Sequence, residues 1–466
     1  MDSKRLDARP LGSVEEILRR VDEVPELTGF PPVDELLERF DALAERHPDL
    51  VRTQRIGTSR LGEHIPMYTI GDGALTHLIV GGVHPNEPIG FWTALHLATT
   101  LLEDDGFRDE LDATWHIIPC IDPDGTRLNE DWFSDHADRD FYLRRFYRPG
   151  SAEQVEWSFP ANYKKLYFDE VMPETQALMR VIDTTRPDML MSLHNSEMGG
   201  VYYYLSRPIP QVIDVLERVP AHVGLPLNTG EPEAPHAPVY GSAIYGMVPI
   251  SETYDYIERL GLDPERHLSG GSGSAEYAGR YGTLSVVAEL PFWSHPDADD
   301  ETPISATYSD VLESMAAAVR DMHARLNGIL QRAEPHLTLD TPFRRAAHAF
   351  IPGAGDAADS TAARAAAPES NRPATVAERF GCEEYARSFK LRFGAILVRA
   401  LEGEVESGIA PPEVRRLARE AAALVAEWQA EPSRGASATT IPVRSLVGVQ
   451  YGAILAAATA LEPRAT

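Results

Sequence analysis

Two histidines and a glutamate stand just after apolar runs, where strands of a sheet would end. His84 and Glu87 follow residues 76–80, and His194 follows residues 189–193. In open α/β sheets, ligands bind at the carboxyl ends of the strands. Imidazole and carboxylate are both zinc ligand types, and three protein ligands leave a fourth position for water in catalytic sites. These residues therefore predict a catalytic site with one Zn²⁺ per chain.

A further acid, Glu289, interrupts a strongly apolar segment that begins at residue 284. A buried carboxylate is costly unless it has a partner or a purpose. A general base beside an activated water needs such a position, so we predict that Glu289 is the base. The competing interpretations are structural: Glu289 paired with an arginine, His194 as a core histidine bonded to backbone, and His84 with Glu87 as a surface pair.

Alternating apolar segments and helical periodicities predict the elements that position these residues. Strands and helices alternate over residues 50–334, which favours an α/β core with a mostly parallel or mixed sheet. Residues 352–373 are rich in Ala, Gly, Ser, Asp and Pro, and three helical patterns follow. We predict a catalytic domain over 1–334, a linker over 335–375 and a helical C-terminal region over 376–466, with helices at 376–402, 411–431 and 443–461.

The amino-acid composition limits the classes of partner that the protein is expected to bind. Acidic residues outnumber basic ones by 71 to 43, for a net charge of −28. Such a surface disfavours nucleic acid and anionic membranes. No apolar run reaches the length of a membrane span. Residues 1–5 do not resemble the start of a secretion signal, and the two cysteines form no disulfide framework, so we expect a cytoplasmic protein.

Five segments in order resemble the zinc metallocarboxypeptidases, typified by carboxypeptidase A, and make the chain an atypical member of that family. They are Gly-Gly-Val-His-Pro-Asn-Glu at 81–87, Asp-Pro-Asp-Gly at 122–125, Pro-Glu-Thr at 173–175, Gly-Gly-Ser at 270–272 and Ala-Glu-Leu at 288–290. The resemblance implies a mixed, mostly parallel eight-stranded sheet flanked by helices and peptidase-type hydrolysis. It also implies that His84, Glu87 and His194 are the zinc ligands and Glu289 the general base.

Three departures from the family pattern concern the substrate. Asp122 replaces the family's Asn, and residues 155–160 lack the Asn-Arg pair that grips a terminal carboxylate. The family's tyrosine before the Gly-Gly-Ser segment falls near Arg266 and His267, which become candidate substrate-binding residues.

The oxyanion arginine of the family has its candidates in Arg144, Arg145 and Arg148. We take Arg144 as the catalytic one, and Arg145 and Arg148 as substrate-binding. A solvated basic patch is the alternative interpretation. Arginine binds carboxylates bidentately, so we hypothesise that loop 139–148 serves a substrate that is acidic or carries a modified terminus.

The predicted function is hydrolysis of an amide bond, in a peptide or a peptide-like small molecule, through a zinc-activated water. One alternative is a small-molecule N-deacylase of the succinylglutamate desuccinylase or aspartoacylase type. Another is a non-catalytic binding module on a peptidase fold. The C-terminal helices are expected to pack on the catalytic domain or to join copies into a homo-oligomer.

Overall fold

The structure of the protein is a computed structural model that describes residues 11–463, so the expectation about residues 1–5 lies outside the described residues. The fifteen strands of this part of the chain are β1 (Val51–Thr58), β2 (His64–Ile70), β3 (Leu75–Val80), β4 (Ala113–Ile118), β5 (Ala161–Tyr163), β6 (Leu166–Phe168), β7 (Met189–Leu193), β8 (Tyr202–Leu205), β9 (Val239–Gly241), β10 (Ile244–Gly246), β11 (Leu284–Glu289), β12 (Trp293–Ser294), β13 (Pro303–Thr307), β14 (Pro373–Thr375) and β15 (Thr439–Thr440).

The sixteen α-helices of the described residues are α1 (Val14–Asp22), α2 (Val33–Arg46), α3 (Ile89–Glu103), α4 (Asp105–Leu111), α5 (Pro123–Arg127), α6 (Arg139–Arg145), α7 (Pro173–Thr185), α8 (Pro210–His222), α9 (Ile250–Arg259), α10 (Pro264–His267), α11 (Ser274–Gly279), α12 (Tyr308–Ala333), α13 (Pro342–Ala365), α14 (Val376–Glu406), α15 (Pro412–Gln429) and α16 (Val443–Thr459).

A mixed sheet flanked by helices confirms the predicted fold class. Its order is β1-β2-β4-β3-β7-β11-β8-β10-β9, which is nine strands where eight were expected. Four pairings are parallel and four antiparallel, so parallel pairs do not predominate over the whole sheet. The strands β9 and β10 have only three residues each and lie in a proline-containing stretch, too short for a periodic signal.

The centre of the sheet is parallel and buried on both faces. β3 pairs with β7, and β7 pairs with β11, so the carboxyl ends of three neighbouring strands lie side by side. Residues on one face of β3, such as Leu78 and Val80, pack in the core shared with α7 and α11. Ile79 points to the opposite core. This alternation follows from the two-residue period of a strand and fixes which side chains leave the sheet at its end.

Helices cover both faces of the sheet. One face carries α16, which packs against α1, α3 and α8 and against the strands β7 and β11. The other face carries α7 and α11. The last helix of the described chain is therefore a central part of the sheet's packing.

Four helices, α12 to α15, pack mainly against one another, and they lie in the chain between β11 and α16. Segment 335–375, which composition predicted as a linker, instead contains the 24-residue helix α13, which packs on α12 and α14. Alanine is the strongest helix former, so alanine-rich sequence forms a helix once a partner covers it. The three C-terminal helices agree with the sequence prediction to within a few residues.

Among residues 11–463, no helix combines the length and the apolar character that crossing a membrane requires.

Candidate metal centre and active site

The predicted ligands meet at the carboxyl ends of β3 and β7. His84 and Glu87 lie in the turn between β3 and α3, and His194 directly follows β7. The Oε2 atom of Glu87 lies 3.1 Å from the Nδ1 atom of His84 and 3.1 Å from that of His194. One ligand atom from each residue lies within 4.8 Å of the other two, and all three side chains are buried.

Glycine makes the turn before His84 possible. A Cβ atom on Gly81 would stand 2.3 Å from the backbone oxygen of Pro119. Gly82 has a φ of +66°, and a Cβ there would stand 2.9 Å from the sulfur of Cys120. The chain passes this close to β4 only because side chains are absent at both positions.

The three residues fit a zinc ion by their chemistry and by what they leave unsatisfied. The Nε2 atom of His84 and both ring nitrogens of His194 are buried and have no hydrogen-bond partner among the described residues. Buried polar atoms normally have a partner, so three orphaned nitrogens in one cluster indicate a site for a ligand. Two imidazoles and one carboxylate match a catalytic zinc set.

Burial and the neighbouring charges give the two histidines different proton affinities. Burial, helped by the Arg148 guanidinium, lowers the pKa of His84 to about 3. Burial also acts to lower the pKa of His194, but the adjacent Glu87 carboxylate, with the charges of Glu289 and Glu156, raises it to about 9. A cation bound among these carboxylates would take the place of that proton, because a metal ligand must be deprotonated.

Arg148 joins the cluster directly. Its Nη1 atom donates to the Oε1 atom of Glu87 at 2.9 Å, and its Nε atom donates to Gln154 at 3.0 Å. Gln154 in turn donates to the backbone oxygen of Pro149 at 2.7 Å. The guanidinium is therefore oriented by a buried amide and lies beside the proposed metal ligand.

Glu289 is the last residue of β11, and its Oε1 atom lies 3.7 Å from the Nδ1 atom of His194. Among residues 11–463, no lysine or arginine forms an ion pair with it, which disfavours the structural interpretation of a buried acid held by arginine. Burial raises the pKa of its carboxyl group well above the usual range, with the charges of Glu87 and Glu233 adding to the effect. A carboxylate that holds a proton readily suits an acid–base role.

The other four predicted site residues lie apart from this group. Arg144 is exposed on α6 and forms no hydrogen bond or ion pair with the described residues. Arg145 pairs with Asp131, Arg266 pairs with Asp356, and His267 contacts the backbone of its own short helix. The structure thus brings Arg148, and not Arg144, to the cluster; loop 126–170 lacks the periodicity from which this could have been predicted.

Sequence reasoning also missed two residues of the segment that lacks the Asn-Arg pair. Trp157 is 43% exposed, and its ring lies 6.3 Å from that of His84 at an interplanar angle of 26°. Glu156 is buried and accepts hydrogen bonds from Ser274 and Ser192. Burial raises the pKa of the Glu156 carboxyl group. An aromatic side chain and a buried acid thus occupy the segment in which the family pattern has the Asn-Arg pair that binds the substrate's terminal carboxylate.

A third missed residue lies on α16. Gln450 donates from Nε2 to the backbone oxygen of His194 at 2.9 Å. A single amide inside the apolar stretch 446–458 was the signal that could have indicated it.

Comparison with known proteins gives one family match. Residues 36–221 match the family model described as zinc carboxypeptidase. This segment contains His84, Glu87 and His194, and the match confirms the resemblance on which the sequence analysis relied.

Solved structures with a detectable likeness include carboxypeptidases. Bovine thrombin-activatable fibrinolysis inhibitor, in complex with tick carboxypeptidase inhibitor, is 14% identical over 55% of this chain and 86% of that chain, with a TM-score of 0.35. Carboxypeptidase A from Helicoverpa armigera is 14% identical over 76% and 82%, with a TM-score of 0.38. A metallo-carboxypeptidase from Pseudomonas aeruginosa is 17% identical over 56% and 61%, with a TM-score of 0.32.

Proposed function

Because the chain is zinc carboxypeptidase-like over residues 36–221, we propose that it is a zinc-dependent hydrolase of an amide bond in a peptide or peptide-like substrate. The observation that carries the proposal is the cluster of His84, Glu87 and His194. The Nε2 atom of His84 and both ring nitrogens of His194 are buried without a hydrogen-bond partner among the described residues, and the carboxylate of Glu289 lies beside them without a lysine or arginine partner there.

The chemistry of the ligands and of Glu289 indicates a separate role for the metal and for the carboxylate. Zinc held by the three ligands supplies Lewis acidity, which polarises a carbonyl group and lowers the pKa of water. Glu289 accepts the proton of the attacking water as the carbon–oxygen bond forms. It then delivers that proton to the nitrogen as the carbon–nitrogen bond breaks.

We assign the charge-stabilising arginine to Arg148 and no longer to Arg144. Arg148 contacts the ligand Glu87 at 2.9 Å, whereas the side chain of Arg144 is exposed and has no partner within residues 11–463. A donor fixed in advance beside a developing oxyanion stabilises the transition state more than a mobile surface charge does.

The residues of segment 155–160 support an unusual specificity. Segment 155–160 contains Glu156 and Trp157 and lacks the Asn-Arg pair. It therefore offers no arginine that could bind the terminal carboxylate of a peptide. A peptide with a modified terminus and a small N-acyl amino acid are both substrates that need no such grip. The N-deacylase alternative therefore stays beside the peptidase assignment. A non-catalytic module is disfavoured, because among residues 11–463 Glu289 has no ion pair with a lysine or an arginine and lies instead beside His194.

The test is hydrolysis by the zinc-loaded protein of matched peptides with free and amidated termini, together with N-acyl amino acids. Glu289→Gln should keep its zinc and lose at least ~100-fold in turnover, because it removes a base and not a ligand. Glu313→Gln, an exposed change on α12, is the control and should turn over normally. Normal turnover in Glu289→Gln would refute its role, and no turnover of any substrate by the zinc-loaded parent would favour the binding module.

Three organisational features belong to the same proposal. We propose a catalytic domain over 1–334 with a helical C-terminal region beyond it, a cytoplasmic location, and self-association of the chain through exposed faces of its C-terminal helices. Cell fractionation and sedimentation of the purified chain test the last two.

A further inference from the structure

The peptide unit between His194 and Asn195 is held at both of its polar ends. Its carbonyl oxygen accepts a hydrogen bond from the Nε2 atom of Gln450 at 2.9 Å. Its N–H, on Asn195, donates to the Oε2 atom of Glu87 at 3.2 Å. One peptide plane thus connects a side chain of the last helix to two proposed metal ligands.

Burying the side chain of Gln450 at this position costs free energy. Its side chain is fully buried, and the residues around it on α16 are apolar. Its Oε1 atom has no hydrogen-bond partner among the described residues. Burying an unsatisfied amide oxygen costs free energy that an apolar side chain of similar size would not. The amide is therefore poorly explained by packing, and its one satisfied contact is with the metal centre.

Close packing of α16 fixes how deeply Gln450 reaches. A Cβ atom on Gly448 would stand 2.9 Å from the side chain of Val21, and one on Gly452 would stand 3.1 Å from that of Val219. These two glycines flank Gln450 and let α16 lie directly against α1 and α8. Because α1 and α8 block movement of α16 away from the sheet, the amide of Gln450 is held at the carbonyl oxygen of His194.

We propose that Gln450 is a positioning residue of the metal centre. By fixing the peptide plane after His194, it sets the direction of the His194 side chain. It also strengthens the hydrogen bond that aims the Oε2 atom of Glu87, since a donor to the carbonyl polarises the amide N–H. This role rests on the zinc site proposed above. It means that α16 contributes a residue that orients the ligands of that site.

The experiment measures zinc affinity by competition with a chromophoric chelator, in the full-length chain and in Gln450→Leu and Gln450→Met. Both variants keep side-chain volume and remove the donor. Outer partners of metal ligands typically contribute 10- to 100-fold to affinity, so we expect zinc affinity to fall by ~10-fold or more. The absorption spectrum of the Co²⁺-substituted protein should also change, because ligand geometry changes.

Ile454→Val is the matched control, since it disturbs packing one turn further along α16 and leaves the donor in place. It should bind zinc as the parent does even if it unfolds at a lower temperature. Parental zinc affinity and Co²⁺ spectra in both Gln450 variants would overturn the proposal. Equal loss of affinity in Ile454→Val would reduce the effect to general packing and would overturn it as well. A parent chain that binds no zinc would instead refute the proposed function.

Discussion

At the scale of single residues, the two oxygens of Glu87 have different partners. Oε2 faces both imidazoles and the N–H of Asn195, while Oε1 accepts from Arg148. A carboxylate held on both sides has little freedom to rotate, so its metal-facing oxygen is oriented in advance. The ligand types were predictable from sequence, because strand-end positions and glycine turns carry a local signal. The partner Arg148 was not, because its position depends on a loop without periodicity.

Replacement of Arg148 and Arg144 separates the two assignments of the charge-stabilising arginine. Arg148→Ala should lower kcat by ~100- to 1,000-fold, the usual effect of losing one oxyanion donor. Arg144→Ala should leave kcat and KM unchanged, because Arg144 is exposed and unpaired. Steady-state kinetics on one good substrate, with zinc content measured for each variant, provide the test. The reverse ranking of the two variants would restore Arg144 to the role.

At the scale of elements, the strands that bear the site were predicted almost residue by residue, because apolar runs bounded by glycine or proline have few other interpretations. The errors lie where local sequence and tertiary context disagree. The short strand β10 forms on the edge of β8, and β9 in turn pairs with β10. Helix α13 contains Pro352 and two glycines, yet it is helical because α12 and α14 cover it.

The turn that begins α5 offers a prediction about pH. Asp122 is buried, its Oδ1 atom accepts from the N–H of Gly125 at 2.9 Å, and its Oδ2 atom has no partner among the described residues. Burial raises the pKa of Asp122 to about 7. The unfolded chain releases this proton near pH 4. The fold therefore loses stability as pH rises from about 4 to about 7, and the loss is complete above the folded-state pKa.

Asp122→Asn keeps the acceptor oxygen and removes the ionisation. The variant should gain more stability over the parent at pH 8 than at pH 5, by at least ~1 kcal/mol, since each pKa unit corresponds to about 1.4 kcal/mol. Urea unfolding of both proteins at the two pH values measures the difference. An equal difference at both pH values would show that Asp122 does not ionise in this range.

At the scale of the whole molecule, the chain leaves the sheet after β11, forms the helices α12 to α15, and returns with α16 to cover the sheet. The sequence suggested a separate tail because composition at 352–373 resembles a linker. Amino-acid composition carries no information about tertiary contacts. The position of α16 on the sheet depends on close packing at its glycines against α1 and α8. Sequence therefore predicts the catalytic core better than it predicts how the final helices attach to that core.

The helical region also contacts the active-site loops. Arg392 on α14 lies 2.7 Å from Glu197, a residue of the loop that follows His194, and Tyr142 donates to the same carboxylate at 2.6 Å. Arg139, which the sequence analysis placed in an anion-binding loop, instead pairs with Glu384 on α14 at 2.7 Å. The helices are thus joined to the rest of the fold by ion pairs as well as by apolar packing.

The zinc content of the chain, purified without chelator, decides whether His84, Glu87 and His194 hold a metal ion. His194→Asn serves as the ligand variant. His116→Asn serves as its control, because His116 lies on β4, bonded to Thr69. We predict one zinc per chain for the parent and for His116→Asn, removable by chelator and restored by dialysis against the metal, and a loss of most of the zinc in His194→Asn. Fewer than about half a zinc per chain in the parent, not restored by added metal, would contradict the account.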